Sequence, residues 1–113
     1  MVRFVHWKPW RRRWRGKGRP PKPRWLSWPH TPTVFVPLPL DEAGDVPPDS
    51  VILTPDEVEA LRLVYLEGKR QGEAAELMRI SRGTLWRLLE SGRRKLVDAI
   101  VNRRPIYVTD SAE

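Results

Sequence analysis

The chain has no cysteine, only two histidines and no long hydrophobic run. Without thiols there are no disulfides and no thiolate metal sites. His6 and His30 lie far apart in proline-rich sequence with no matched ligand cluster, so neither a metal nor any other cofactor is expected. No apolar stretch approaches the roughly 18 residues needed to span a bilayer. The basic N-terminus runs into Trp, Pro and Gly instead of a signal-peptide core. These absences predict a soluble cytoplasmic protein with no membrane partner, associated with the nucleoid if it binds DNA. Asn and Gln occur once each and Arg outnumbers Lys sixteen to five, a bias that fits a heat-stable protein or a GC-rich genome. Also missing are a Ser/His/acid set, a phosphate loop and a paired-carboxylate constellation, which argues against an enzyme.

What is present is a strongly divided charge. The 113 residues and 40% apolar content support one small domain with tails. The net charge of +7 splits into +10 over residues 1–24, which hold ten Lys/Arg and no acid, and −3 over residues 25–113, which hold eleven Lys/Arg and fourteen acids. The basicity therefore belongs to an arm, and such an arm is drawn to polyanions, above all nucleic acid. Eleven of the twelve prolines fall in residues 1–55, so the first half of the chain holds no long helix. Four segments are expected: a disordered Trp/Arg/Pro-rich arm, 1–24; an extended segment with an acidic loop, 25–49; a helical domain, 50–104; and an extended tail, 105–113. Within the second segment Thr33 to Val36 has strand composition and is assigned as partner of Ile106 to Thr109. Trp25 and Trp28 flank this apolar stretch and are expected to cover the helical core.

Thr54 carries the strongest helix start: Thr as N-cap, Pro55 at the first helical position and Glu57 completing a capping box. The helix that follows is apolar on two sides, with Val58, Leu61, Val64 and Tyr65 on one and Ala60, Leu63 and Leu66 on the other. One side suits the rest of the domain. The other suits residues 34–36 or a second subunit, so a homodimer is anticipated. Gly68 is its stop. A second, short helix spans about Gln71 to Met78 and turns Ala74, Ala75 and Met78 inward; Gly72 in its first turn weakens it. The third runs from Ser81 as N-cap to about Asn102, with Leu85, Leu88, Leu89, Gly92, Leu96, Ala99 and Ile100 on one stripe.

The last two helices have the spacing of a DNA-reading helix-turn-helix, and the fold class expected is mainly α, a tri-helical domain of that kind behind a basic arm. Ala75 permits a close helix crossing, and Ile80 and Leu85 plug the space between the helices. Helix 82–102 then enters the major groove with Arg82, Gly83, Thr84, Trp86 and Arg87 outward. Arg87 is the best base reader, because a guanidinium bonds guanine O6 and N7 together. Thr84 suits phosphate or a thymine methyl. Gln71 at the start of the second helix and Arg94 (with Arg93 and Lys95) late in the third suit phosphates. In the arm, Lys17-Gly-Arg19-Pro-Pro-Lys22 with Arg24 resembles an AT-hook, which lays Arg side chains in the narrow minor groove of A/T-rich DNA. Double-stranded DNA is thus the expected partner. Two other readings stand beside it: a single-stranded nucleic-acid binder whose Trp7, Trp10 and Trp14 stack on bases, and an adaptor that docks on RNA polymerase without touching DNA.

Several runs carry a family likeness: RPPKPRW at 19–25, LTPDEVEALRL at 53–63, EAAELM at 73–78 and SRGTLWRLL at 81–89. With these the chain resembles a small prokaryotic family, domain of unknown function 134, whose members are described as predicted DNA-binding proteins. Its three-helix part is also similar to the promoter-reading region 4 of sigma factors. The resemblance implies a helix-turn-helix DNA-binding protein with a regulatory role. The chain departs from the family pattern at Gly72, where an acidic helix former is expected, and at Arg79, where the turn usually has Gly. In a left-handed conformation Arg79 costs about 1 kcal/mol.

Overall fold

The computed structural model describes residues 25–28 and 31–111. They divide into two compact units after Pro37. In the first unit the described residues form neither helix nor strand. Val34, Phe35 and Val36 are exposed and Trp25 is 92% exposed, whereas Trp28 is partly buried.

The second unit is mainly helical with one small parallel sheet. Helix α1, Leu40–Ala43, puts a single turn in the stretch expected to be loop and ends at Gly44, φ 91°. Strand β1, Val51–Leu53, buries Val51 and Leu53 and exposes Ile52, the period-2 pattern of a half-buried strand. Helix α2, Pro55–Leu61, continues as a π-helical turn over Arg62–Leu66. Helix α3 is Gln71–Met78, helix α4 is Arg82–Asn102, and strand β2 is Ile106–Val108.

The pairing of 33–36 with 106–109 is corrected. Strand β2 lies parallel to β1, with Val51 opposite Ile106 and Leu53 opposite Val108. Val51 N–H donates to Pro105 O at 2.9 Å and Thr109 N–H to Leu53 O at 3.0 Å. The physical reason is proline: Pro32 and Pro37 bracket the 33–36 run and supply no N–H. Residues 51–53 form the competing strand and run straight into a capped helix.

The helix ends follow their caps. Thr54 Oγ1 accepts from Glu57 N–H at 3.3 Å while Glu57 Oε1 accepts from Thr54 N–H at 2.9 Å, the reciprocal box expected from the sequence. Gly68, at φ 73°, stops the π-helical turn, and Ser81 Oγ accepts from Thr84 N–H at 3.0 Å to open α4. Arg79 ends α3 in the left-handed region, φ 58°, ψ 46°. A side chain there is strained, so Arg79→Gly should raise the stability of the unit by up to about 1 kcal/mol, less the extra chain entropy of glycine. Urea unfolding of the two proteins followed by circular dichroism checks this; a lower midpoint for the glycine variant contradicts it.

The core is built by Ala60, Leu63, Ala74, Ala75, Leu85 and Leu89, with Leu61, Val64, Met78, Ile80 and Leu88 packed against it. Ala75 is buried at the crossing of α3 and α4, as its small size requires. A second close approach lies at Gly92, where an added Cβ would come 2.8 Å from Leu61 Cδ1. Ala60 and Leu63 on one side of α2 and its π-helical turn are buried, and Leu61 and Val64 on the other pack against the same core. Tyr65 and Leu66 remain exposed, the latter 81%.

One charged group sits inside this frame. Glu57, 4% exposed, receives the Ser91 hydroxyl and Lys95 Nζ at 2.9 and 3.0 Å, and Lys95 also donates to Ile52 O at 2.7 Å. The network ties the start of α2 and strand β1 to the middle of α4. Burial pushes the Glu57 pKa up, but the hydrogen bonds from Ser91 and Thr54 N–H, together with the Lys95 ammonium, outweigh it and hold the carboxyl below its ordinary value. Arg104 makes a second tie, bonding the carbonyl oxygens of Asp49 and Ser50 and the Asp98 carboxylate at the far end of α4.

Candidate nucleic-acid interface

The outward face of α4 begins where its inward face is most buried. Leu85 and Leu89 are fully enclosed, and the helical repeat therefore turns Arg82, Gly83, Trp86 and Arg87 to solvent. Trp86 is 53% exposed, an uncommon place for the largest apolar side chain. Arg87 and Arg94 are exposed and have no hydrogen bond or ion pair with any described residue. Two turns separate them, which keeps both on one line of the helix. Gly83 leaves the backbone open: a Cβ added there would meet only Ser81 Oγ, at 3.9 Å.

Thr84 is half-buried and locally engaged. Its Oγ1 accepts from Ser81 Oγ at 2.9 Å while its N–H donates to the same oxygen. Arg82 is exposed, yet its guanidinium lies across the bare backbone of Gly72: a Cβ at that glycine would come 2.6 Å from Nη2. The glycine that weakens α3 thus makes room for an arginine of the neighbouring helix. Gln71 stands exposed at the first position of α3 with its amide unpaired among the described residues. A cleft of about 380 Å³ opens between these elements, lined by Arg70, Gly72, Glu73, Glu76, Ile80 and Arg82.

The basic run late in α4 divides by partner. Arg93 donates to Tyr65 Oη at 2.6 Å and to Glu90 at 2.9 Å, and Lys95 belongs to the Glu57 network. Of the three side chains expected to grip phosphates there, Arg94 alone is unengaged. The candidate contacts in the arm, Lys17, Arg19, Lys22 and Arg24, lie outside the described residues. Among those described, no group of three or more His, Asp or Glu side chains is placed to hold a metal ion. No helix among the described residues is long and apolar enough to cross a membrane.

The family model described as "Protein of unknown function DUF134" matches residues 11–113. The chain belongs to this family. Curated DUF134 relatives carry the name UPF0251 protein and occur in bacteria and archaea. One from Thermoanaerobacter pseudethanolicus is 44% identical over 90 residues, covering 80% of this chain and 74% of the relative. Another, from Pyrococcus furiosus, is 41% identical over 96 residues, covering 85% and 86%. No solved structure matches the chain.

Of the DUF134 residues singled out from the sequence, Arg82, Gly83, Trp86, Arg87 and Arg94 share the exposed side of one helix, and Gln71 stands at the start of the helix before it. Sequence reasoning missed the Arg82–Gly72 contact and the roles of Arg93 and Lys95. A pair five or more turns apart in sequence has no periodic signature, so the Lys95–Glu57 link across 38 residues left none.

Proposed function

We propose that this protein binds duplex DNA through a helix-turn-helix formed by α3 and α4 and acts as a transcriptional regulator. The observation that carries the reading is the face of α4, where a half-exposed Trp86 stands beside Arg87 with no internal partner and Arg94 lies two turns on. A folded protein that needed only solubility has no use for an exposed tryptophan between arginines. The joint supports the same reading: Ala75, Ile80 and Leu85 pack where two helices meet across a three-residue turn, and Ser81 caps the second helix. In this arrangement α4 lies in the major groove, Arg87 bonds guanine O6 and N7, and Gln71 and Arg94 hold phosphates. The arm of residues 1–24 adds charge along the backbone.

Arg87→Ala tests the assignment. It should keep the circular dichroism spectrum of the parent, lower affinity for a selected site by about 1–3 kcal/mol and relax base preference at one position. Arg94→Ala should instead weaken all duplexes alike and reduce the log–log salt slope by about 0.9. Unchanged base preference in Arg87→Ala, measured by selection from a random duplex pool, removes Arg87 as a reader.

A further inference from the structure

The hydrogen-bonding character of the exposed α4 face is one-sided. Arg82, Arg87 and Arg94 are donors only, and the Trp86 indole is a donor with an apolar body. The first carboxylate along α4, Glu90, is paired with Arg93, the Glu73 and Glu76 carboxylates that line the cleft beside Arg82 belong to α3, and the Thr84 hydroxyl accepts from Ser81. The only Asn and Gln of the chain are Asn102, at the far end of α4, and Gln71, on α3. The first turns of α4 therefore hold no amide side chain to pair with adenine in the usual bidentate way.

In the major groove thymine offers a 5-methyl group beside the acceptor O4; cytosine offers an amino donor and no methyl; guanine offers two acceptors and no methyl. An indole matches thymine on both counts. Its ring covers the methyl and its N–H meets O4, whereas cytosine would set an amino group against a side chain that accepts nothing. The open backbone at Gly83, three residues before Trp86 on the same side of the helix, lets the groove floor come close to the ring. Insertion between base steps is the alternative use of an exposed apolar side chain, but proteins do that from the minor groove. On the reading that α4 lies in the major groove, we propose that Trp86 is the thymine-recognising residue of this protein, acting through the 5-methyl group and O4.

The test is a uracil scan. A duplex enriched by the full chain from a random pool is resynthesised with each thymine replaced in turn by uracil, which removes one methyl and leaves base pairing intact. At one or two positions uracil should weaken binding of the parent on the order of fourfold, the value of one buried methyl. Trp86→Ala should bind the thymine site more weakly and show no response to uracil there. Trp86→Leu, which keeps an apolar side chain and lacks the N–H, should retain part of the response. If the parent is indifferent to uracil everywhere, or if Trp86→Ala responds as the parent does, thymine is not read by Trp86 even though DNA is bound. If no duplex binds in a salt-sensitive way, the duplex-binding reading itself fails and this proposal fails with it.

Discussion

Glu57→Ala is expected to cost about 2–3 kcal/mol of folding stability, a large part of the roughly 5–10 kcal/mol that holds a domain of this size. Removing one partner of a fully buried ion pair costs about 3–5 kcal/mol, and the value is discounted here because Lys95 is 32% exposed. The change strips the Thr54 N–H and the Ser91 hydroxyl of an acceptor and leaves Lys95 with the Ile52 carbonyl alone. Ser91→Ala removes one hydrogen bond and should cost about 1 kcal/mol. The same network gives a pH signature with a definite sign. Because the folded Glu57 titrates below its ordinary value, its contribution is fully present above the unfolded-state value of about 4.3 and is lost as pH falls through the folded one. Urea midpoints of the parent and of Glu57→Gln should therefore converge as the pH is lowered from about 6 toward 2. Parallel curves would show that the carboxylate does not hold the domain.

Ala75→Leu is expected to disrupt the joint between α3 and α4. Ala75 is 4% exposed and sits in the same cluster as Ala74, Leu85 and Leu89, so added methylenes have no space without backbone movement, at a cost of about 1–3 kcal/mol or more. Leu77, on the same helix but 61% exposed, serves as control: Leu77→Ala should leave the melting temperature close to that of the parent. Equal melting temperatures for the parent and Ala75→Leu would mean that α3 does not pack as described. DNA affinity should fall with stability in Ala75→Leu and remain in Leu77→Ala, which separates loss of the fold from loss of contacts.

The parts of this molecule that were legible in the sequence are those set by local chemistry. Thr54, Pro55 and Glu57 spell a capping box within four residues, and Ser81 caps α4 in the same local way. The stripe Leu85, Leu89, Gly92, Ala99 marks the buried side of a 21-residue helix and so its outward side as well. The left-handed Arg79 was signalled only by the family resemblance, in which that turn usually has Gly. What stayed hidden depends on long-range pairing. Strand β2 had two candidate partners, 33–36 and 51–53, and composition favoured the wrong one; the flanking prolines and the alternating burial of Val51 and Leu53 decide for the second. The basic run Arg93–Lys95 looked uniform, yet Tyr65 and Glu90 claim its first member and Glu57 its last. Gly72 read as a weak point of α3, and only the packed helices reveal Arg82 lying over it.

The most direct test of the central claim is the salt dependence of duplex binding by the full chain, measured by fluorescence anisotropy between about 50 and 200 mM salt on a duplex enriched from a random pool and on an unrelated duplex. The account predicts that both affinities fall steeply with salt, at about 0.9 in log–log slope per phosphate contact. It also predicts that the enriched duplex binds about a thousandfold or more tighter than the unrelated one, a margin that Arg87→Ala narrows and that deletion of residues 1–24 leaves nearly intact while flattening both slopes. Salt-independent binding, or failure of the pool to yield any preferred sequence, would contradict it.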